Sequence, residues 1–411
     1  MAQIANGFCG GEGDGTNLTW VLDENGTLAI SGSGEMDDYN YYWDEQPWYT
    51  YSAQIKEIRI NGGVKSIGNG AFYNFNSITS VVLPQGLERI GEYAFFDCTN
   101  LNTINLPEGL TELGSGVFKM CENLTEIVVP EGIAEIPYCA FSDCYALERV
   151  VLPDRLVSIE QEAFQYCSRL SSINIPESIE YISSSAFNGC NFKSVVSLAT
   201  VPAVCPDESH IYDLLFEFRT YNHAPLYIPE GKYWDYAFAP GWGEFIHIKE
   251  IAMDDSELED SKAYMIADTK GCNYTVYNAE KGTLTNVEYT HSLDEENEGS
   301  CWTVLREAGK SYLYNLGAKK FACMDKEGEL SLAEAPVALD ITLTENGLSI
   351  NGNNRMFVLN KNINVDATGI EDIRIDNAQT EGVDIYYLDG RRMNKSVRGV
   401  NIVNGRKVVV K

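Results

Sequence analysis

The chain has 411 residues with 44% apolar content, a globular composition longer than one ordinary core encloses, so roughly two to four units are expected. Sixty acidic against 30 basic residues leave a net charge of −30, which excludes a nucleic-acid surface built to neutralise phosphates and docking on an anionic membrane. No uncharged apolar stretch approaches about 18 residues, so no membrane insertion is read.

Residues 1–54 hold nine acidic residues and no Lys or Arg. Residues 1–8 lack a charged start and an apolar run, so no signal peptide is read there. Asn17–Leu22 and Thr27–Ser31 flank Asp23-Glu-Asn-Gly26, which predicts a hairpin. Residues 36–50 are aromatic and acidic, with Trp43 and Trp48, and are expected as a lid on the segment that follows.

That segment repeats with a period of 23 residues. Phe72, Phe95, Phe118, Phe141, Phe164 and Phe187 mark one column, Ile67, Ile90, Leu113, Ile136, Ile159 and Ile182 a second, and Cys98, Cys121, Cys144, Cys167 and Cys190 a third. A unit this short cannot bury its own apolar side, so the units stack into a solenoid over residues 55–191. In one copy, Ile104 and Leu106 alternate with polar Asn105 as in a strand, and Pro107 ends it by lacking an amide donor. Leu110 and Leu113 predict a second short extended piece. Glycines 68, 91 and 114 predict a bend at positive φ, and the return side through Phe and Cys predicts one helical turn. At about 4.8 Å per turn six turns make a rod about 29 Å long, with ends that need caps.

The ladder cysteines are read as free, buried thiols. Stacked equivalents about 4.8 Å apart miss the geometry of a disulfide, and no Cys-x-x-Cys or His partner accompanies them. Residues 192–251 predict the closing cap, with Leu226-Tyr-Ile-Pro229 repeating the strand phrase before Tyr233, Tyr236, Trp242 and Phe245. Asp254–Asp260 reads as an acidic linker. The all-β segment 252–368 shows short alternating runs at Tyr274–Tyr277, Cys301–Leu305, Ser311–Tyr314, Leu339–Leu343 and Met356–Leu359. Residues 369–411 hold six acidic and eight basic residues and three strands, with turns at Asp389-Gly390 and Asn404-Gly405.

No catalytic constellation is found: the four histidines are scattered, and no nucleophile elbow or phosphate-binding loop appears. The run Asp294–Glu298 lacks the alternating spacing of a calcium loop. No catalytic residue, metal or cofactor is therefore assigned. The informative positions lie between the apolar strand residues. Ser80, Thr103, Glu126, Arg149 and Ser172 line the first strand, beside Val82, Asn105, Val128, Val151 and Asn174. Arg89, Glu112, Glu135, Ser158 and Tyr181 line the second. These columns are the candidate protein-binding face, with Tyr and Arg as the usual anchors; an ordinary solvated face is the alternative.

The phrase Ala94-Phe95-x-x-Cys98-x-x-Leu101-x-x-Ile104-x-Leu106-Pro107 resembles the BspA-like (Treponema-type) leucine-rich repeats of bacterial surface proteins. Cys9-Gly, Leu18-Thr-Trp20, Ser31-Gly-Ser-Gly34 and Pro47-Trp48 are similar to the cap preceding such repeats, and Leu226-Tyr-Ile-Pro229 with Trp242 and Phe245 resembles the closing segment. Tyr387-Leu-Asp-Gly-Arg391-Arg and the ending Gly405-Arg-Lys-Val-Val-Val410 resemble C-terminal secretion and sorting modules of Bacteroidetes exported proteins. Tyr312-Leu-Tyr-Asn315 and the Trp302 strand resemble ricin-type β-trefoil modules, with Ser300-Cys-Trp302 in place of their Gln-x-Trp. The resemblance implies a mainly β chain and a non-enzymatic, adhesin-like protein. It would be extracellular or displayed on the cell surface, and would bind host or microbial macromolecules such as extracellular-matrix proteins or mucin. The alternative it implies is glycan binding through residues 262–368, with Trp302, Tyr312 and Tyr314 as contacts.

Overall fold

The computed structural model of the chain describes residues 2–40, 45–205, 214–253, 263–268, 273–281, 283–288, 298–307, 310–333, 337–344, 347–360, 385–387, 392–393, 399–403 and 406–410. Trp43, the linker 254–260, residues 294–297 of the acidic run and the turn dipeptides 389–390 and 404–405 lie outside the described residues. The chain divides into two compact units, residues 1–228 with 232–248, and residues 229–231 with 249–411.

The first unit opens with three antiparallel strands, β1 (Gln3–Phe8), β2 (Leu18–Asp23) and β3 (Thr27–Gly32). Asp23 closes the β2–β3 turn: its Oδ1 accepts the amides of Asn25 at 3.0 Å and Thr27 at 2.9 Å. Gly26 takes φ +85° there, a conformation that costs glycine little. β1 was not legible in the sequence. β3 then pairs in parallel with β4 (Glu57–Ile60), so the hairpin's second strand is already a rung of the stack.

Two ladders of equivalent strands follow, interleaved along the chain: β5 (Ser66–Ile67), β6 (Ser80–Val82), β7 (Arg89–Ile90), β8 (Glu112–Leu113), β9 (Glu126–Val128), β10 (Glu135–Ile136), β11 (Arg149–Val151), β12 (Ser158–Ile159), β13 (Ser172–Ile175), β14 (Tyr181–Ile182) and β15 (Ser194–Ser197). In the first ladder β4 pairs with β6, Thr103 bridges to Glu126, β9 pairs with β11 and β13 with β15. In the second, β5, β7 and β8 pair in series, as do β10, β12 and β14. Within the repeats the partners are residues 23 apart, such as Arg89 with Glu112 and Ser158 with Tyr181.

The return side differs from the expected helical turn. It is a run of turns holding two left-handed residues per rung. One set is Gly70, Tyr93, Gly116, Cys139, Glu162 and Ser185; the other is Asn74, Asp97, Met120, Asp143, Tyr166 and Gly189. Nine of the twelve are not glycine, and left-handed backbone strains such residues. What offsets the strain is a third ladder. The amides of Asn74, Asp97, Met120 and Asp143 each donate at 2.8 Å to a carbonyl 22 residues ahead, and that of Phe118 between them donates to Ala140 at 2.9 Å. Glycines 68, 91 and 114 are not at positive φ; the reason for them is proximity. A Cβ on Gly114 would lie 2.2 Å from the Glu92 amide nitrogen, and one on Gly68 1.7 Å from the Asp37 carbonyl oxygen.

Inside, the phenylalanines stack face to face with centroids 5.2–5.7 Å apart from Phe72 to Phe187. The column continues past the repeats at both ends. Trp48 stacks on Phe72 at 5.5 Å and donates Nε1–H to the Ala71 carbonyl. Phe216 stacks on Phe187 at 5.3 Å, enclosed by Tyr221, Trp242 and Phe245. Around this closing cap stand α1 (Phe218–His223), β16 (Pro225–Pro229), which extends the first ladder through Leu226 and Val195, α2 (Tyr233–Ala237) and β17 (His247–Ile251). Tyr236 donates to the Ala199 carbonyl at 2.9 Å and Trp242 to that of Ala203 at 3.0 Å.

The second unit is all-β. Its strands are β18 (Ala263–Ala267), β19 (Asn273–Asn278), β20 (Thr283–Glu288), β21 (Trp302–Glu307), β22 (Lys310–Asn315), β23 (Lys320–Met324), β24 (Leu330–Ala333), β25 (Ile341–Thr344), β26 (Gly347–Ile350), β27 (Asn353–Asn354) and β28 (Met356–Asn360). Six of them meet in cyclic order. β18 pairs with β21, β21 with β22, and Ser311 of β22 bridges to Leu339 just before β25. β25 pairs with β26, the Arg355 amide before β28 donates to Leu348 of β26, and β28 pairs back with β18. The hairpins β19–β20 and β23–β24 stand outside this cycle. Its core is formed by Tyr264, Trp302, Leu313, Ile350 and Phe357 among others. Nearest the C-terminus, β29 (Ile385–Tyr387), β30 (Arg392–Met393), β31 (Gly399–Val403) and β32 (Arg406–Val410) pair antiparallel in the order β30-β29-β31-β32.

Candidate functional site

Alternation along the first-ladder strands turns every second residue outward. In β6 and β9 the middle residues Val81 and Ile127 are buried, while Ser80, Val82, Glu126 and Val128 are exposed. Thr103 and Asn105 are exposed at the same positions of the intervening rung, Arg149 is exposed on β11, and Ser172 is half-buried on β13. On the second ladder Glu112 and Glu135 are exposed, and Arg89, Ser158 and Tyr181 are half-buried. The structure thus brings the ten predicted residues together as two columns on two separate ladders, not as one patch.

The charges within these columns largely pair with each other. Arg149 bonds Glu126 on the neighbouring rung. Arg89 reaches Glu112 at 3.0 Å, Asn69 Oδ1 at 2.8 Å and Asp38 at 3.6 Å. Burial, and then the nearby Glu160 carboxylate, push the Glu135 carboxyl above its ordinary range. The least explained exposure on the first ladder is apolar. Val82 is 50% and Val128 46% exposed, in the column occupied by Asn105 and Asn174 on other rungs. Sequence reasoning missed a second apolar feature: on α2 and just beyond it, Trp234 and Phe238 stack at 5.7 Å with both rings exposed.

Trp302, Tyr312 and Tyr314 correct an expectation. All three are buried, and Trp302 Nε1 donates to the Thr275 carbonyl at 3.3 Å. The alternation that placed them on strands also turns them into the packed interior, where no ring face is left for a sugar to stack on.

The ladder thiols are free and buried. Each Sγ stands 3.2 Å from a phenylalanine carbonyl 26 residues earlier, from Cys98 with Phe72 to Cys190 with Phe164. The column therefore fills space and also supplies a weak donor to each rung. Burial is the main cause that holds the thiols of Cys98, Cys121, Cys144 and Cys167 well above their ordinary value, so these are not activated nucleophiles. Among the described residues no group of three or more His, Cys, Asp and Glu side chains is placed to hold a metal ion. No helix among them is long and apolar enough to cross a membrane.

Comparison with known proteins bears on the repeats. The family model described as "BspA type Leucine rich repeat region" matches in six copies, over residues 46–153 and 90–204. No curated protein matches the chain. Solved structures similar to it include a leucine rich cell surface protein from Faecalibacterium prausnitzii, 22% identical over 53% of this chain and 70% of that one, with a TM-score of 0.38. A leucine-rich repeat protein from Bacteroides ovatus is 23% identical over 53% of this chain and 64% of that one, TM-score 0.34. The leucine rich repeat protein of T. pallidum is 20% identical over 50% and 91%, TM-score 0.31. The match covers residues 46–204, the stretch in which the ladders keep their register and the phenylalanines stack, and shows that these residues are similar to BspA type leucine-rich repeats.

Proposed function

We propose that the chain is a non-enzymatic, exported or surface-displayed interaction protein. Its leucine-rich repeat scaffold binds host or microbial macromolecules through the outward residues of its first ladder. The observation behind this reading is the pair Val82 and Val128. They are half-exposed apolar side chains held on a fixed backbone ladder among Ser80, Thr103, Asn105, Glu126 and Arg149. Apolar groups so displayed lose surface to water only by meeting a partner. Tyr181 on the second ladder supplies a further anchor. Extracellular-matrix proteins and mucin are the partner classes expected from the family resemblance.

The test uses the full chain against immobilised matrix proteins and mucin. The variants are Val82→Glu with Val128→Glu, and Arg89→Ala with Arg149→Ala and Tyr181→Ala. Burying the valines against a partner predicts about tenfold or greater weakening by the first pair, with an unchanged unfolding midpoint. Binding that survives both sets moves the site off these ladders.

Residues 252–368 we read as a β-trefoil. Six strands meeting in cyclic order, with hairpins β19–β20 and β23–β24 outside the cycle, support that reading.

A further inference from the structure

We infer that the open edge of β1 takes up an extended strand of a partner protein, one with apolar residues at alternate positions and Lys or Arg at its ends. β1 is the outermost strand of the sheet β1-β2-β3-β4-β6, and among the described residues it pairs with β2 alone. The register fixes which main-chain groups are left over. The Cys9 amide donates to the Leu18 carbonyl at 3.0 Å, so Cys9, Gly7 and Ala5 face β2 in alternation. Asn6 and Phe8 therefore turn their N–H and C=O groups away from the sheet. The edge is bounded on both sides. The register shifts between Gln3 and Ala5, and the Gly10 amide is taken by the Gly15 carbonyl at 3.0 Å.

Apart from that shift, nothing in the strand opposes pairing. Gln3-Ile-Ala-Asn-Gly-Phe8 holds no charge and no proline, the residues that usually blunt an exposed edge. Its outer face is apolar. Ile4 is 47% and Phe8 59% exposed, and half-covered Val21 lies opposite Asn6 on the same face. The main chain of an added strand would bond Asn6 and Phe8, and its alternate side chains would pack beside Ile4 and Phe8.

Charge selects the partner. Residues 1–54 hold nine carboxylates and no Lys or Arg, and carboxylates stand at both ends of the edge. Glu24, whose amide donates to the Ala2 carbonyl at 3.2 Å, lies at one end. Glu12 and Asp14, in the loop closed by the bond between Gly10 and Gly15, lie at the other. Glu24, Glu12 and Asp14 are all exposed. A second copy of the chain would bring its own carboxylates to the same place, and an acidic strand would be repelled likewise. A strand with a cation at each end meets opposite charge twice. Ala2 to Cys9 is roughly 24 Å of extended chain, so the two cations are expected about seven positions apart. The inference rests on a main-chain edge and not on Val82 and Val128, so it and the ladder reading fail separately.

The test is fluorescence anisotropy of the labelled peptide Lys-Thr-Val-Thr-Val-Thr-Val-Lys titrated with the full chain. Saturable binding is expected, with a Kd about tenfold or more weaker when both lysines are replaced by Glu. Valine and threonine amides point to opposite edges of the extended peptide, and only one edge meets β1. N-methylating one set should therefore weaken binding about tenfold or more beyond the other. Asn6→Pro removes an outward amide and no β1–β2 bond, and should weaken binding by a similar factor. Val82→Glu with Val128→Glu should leave it unchanged. Silence from the lysine peptide overturns the inference. So does equal binding of the lysine and glutamate peptides, an equal effect of the two methylation patterns, or self-association of the chain that Asn6→Pro abolishes. The methylation comparison needs no variant, so it decides the matter if Asn6→Pro disturbs β1.

Discussion

In the repeats of the first unit each ladder strand meets its own equivalent from the neighbouring rung; in the second unit each of the six strands in the cycle meets a different sequence, and the last returns to the first. Translation places like on like: phenylalanine on phenylalanine, a thiol under each phenylalanine carbonyl, an amide against the carbonyl 22 residues on. A stack so built always has two open ends, and here Trp48 and Phe216 close them with the same aromatic contact that joins the rungs. A cycle leaves no such ends and needs no matching neighbours. The first arrangement distributes stability over equal contacts; the second concentrates it in single large residues such as Trp302 and Phe357.

The largest test of that contrast removes one ring from each interior. Phe118→Ala opens a gap between Phe95 and Phe141, and Trp302→Ala empties the centre of the second core. Each should cost about 3–5 kcal/mol. Each should lower only its own unit's transition in urea unfolding, followed by far-ultraviolet circular dichroism and by limited proteolysis of the two units. A shift of both transitions by one substitution would mean that the units unfold together and that the contrast is one of pattern alone. Trp302→Ala also separates the burial seen here from the sugar contact expected of it, because a core residue lowers the midpoint whether or not sugar is present.

A smaller effect follows from the thiol column. Burial raises the Cys98, Cys121, Cys144 and Cys167 thiols above the ordinary value of 9.0. The folded state therefore keeps its protons where the unfolded chain begins to release them. The stabilisation is complete below 9.0 and falls as pH rises through that value towards the raised folded values. Under reducing conditions the first unit's urea midpoint should drop between about pH 9 and about pH 11, with each thiol adding up to about 1.4 kcal/mol per pH unit above its unfolded value. Cys144→Ala should make the decline shallower. An unchanged slope in that variant would assign the alkaline loss to other groups.

The same contrast decides what was legible in the sequence. The phenylalanine, isoleucine and cysteine columns were visible because translation demands the same side chain at each rung. The left-handed residues were not. Gly70, Tyr93, Gly116 and Cys139 share no chemistry, since the ladder bonds of their amides to carbonyls 22 residues ahead hold the conformation whatever the side chain. Gly68, Gly91 and Gly114 were visible but for the wrong reason: the neighbouring rung's backbone excludes a Cβ. In the second unit the runs around Tyr274, Trp302, Tyr312 and Met356 marked strands. Their partners depend on the cyclic order, which no local pattern encodes, so β18, β20, β23, β24, β26 and β27 went unread and three buried aromatics passed for exposed ones. Of the candidate binding face the sequence showed both columns. It did not show that Arg89 and Arg149 are already paired, or that α2 presents Trp234 and Phe238.

The smallest effect concerns those paired arginines, because a stacked ladder should make equal rungs equal unless a side chain finds something outside the repeat. Arg149 is exposed and among the described residues bonds Glu126 alone, so Arg149→Ala should cost less than about 1 kcal/mol and fade in high salt. Arg89 is half-buried and reaches three groups, one of them Asp38, which precedes the repeats. Its removal also frees Asn69 Oδ1, although that atom keeps the Glu92 amide at 2.7 Å. Arg89→Ala should therefore cost more than Arg149→Ala and depend less on salt. Double-mutant cycles with Glu112→Ala and Glu126→Ala measure the difference. Equal residual costs of Arg89→Ala with Glu112 already alanine and of Arg149→Ala with Glu126 already alanine would show that the contacts with Asp38 and Asn69 contribute nothing and that the rung next to the cap behaves as any other.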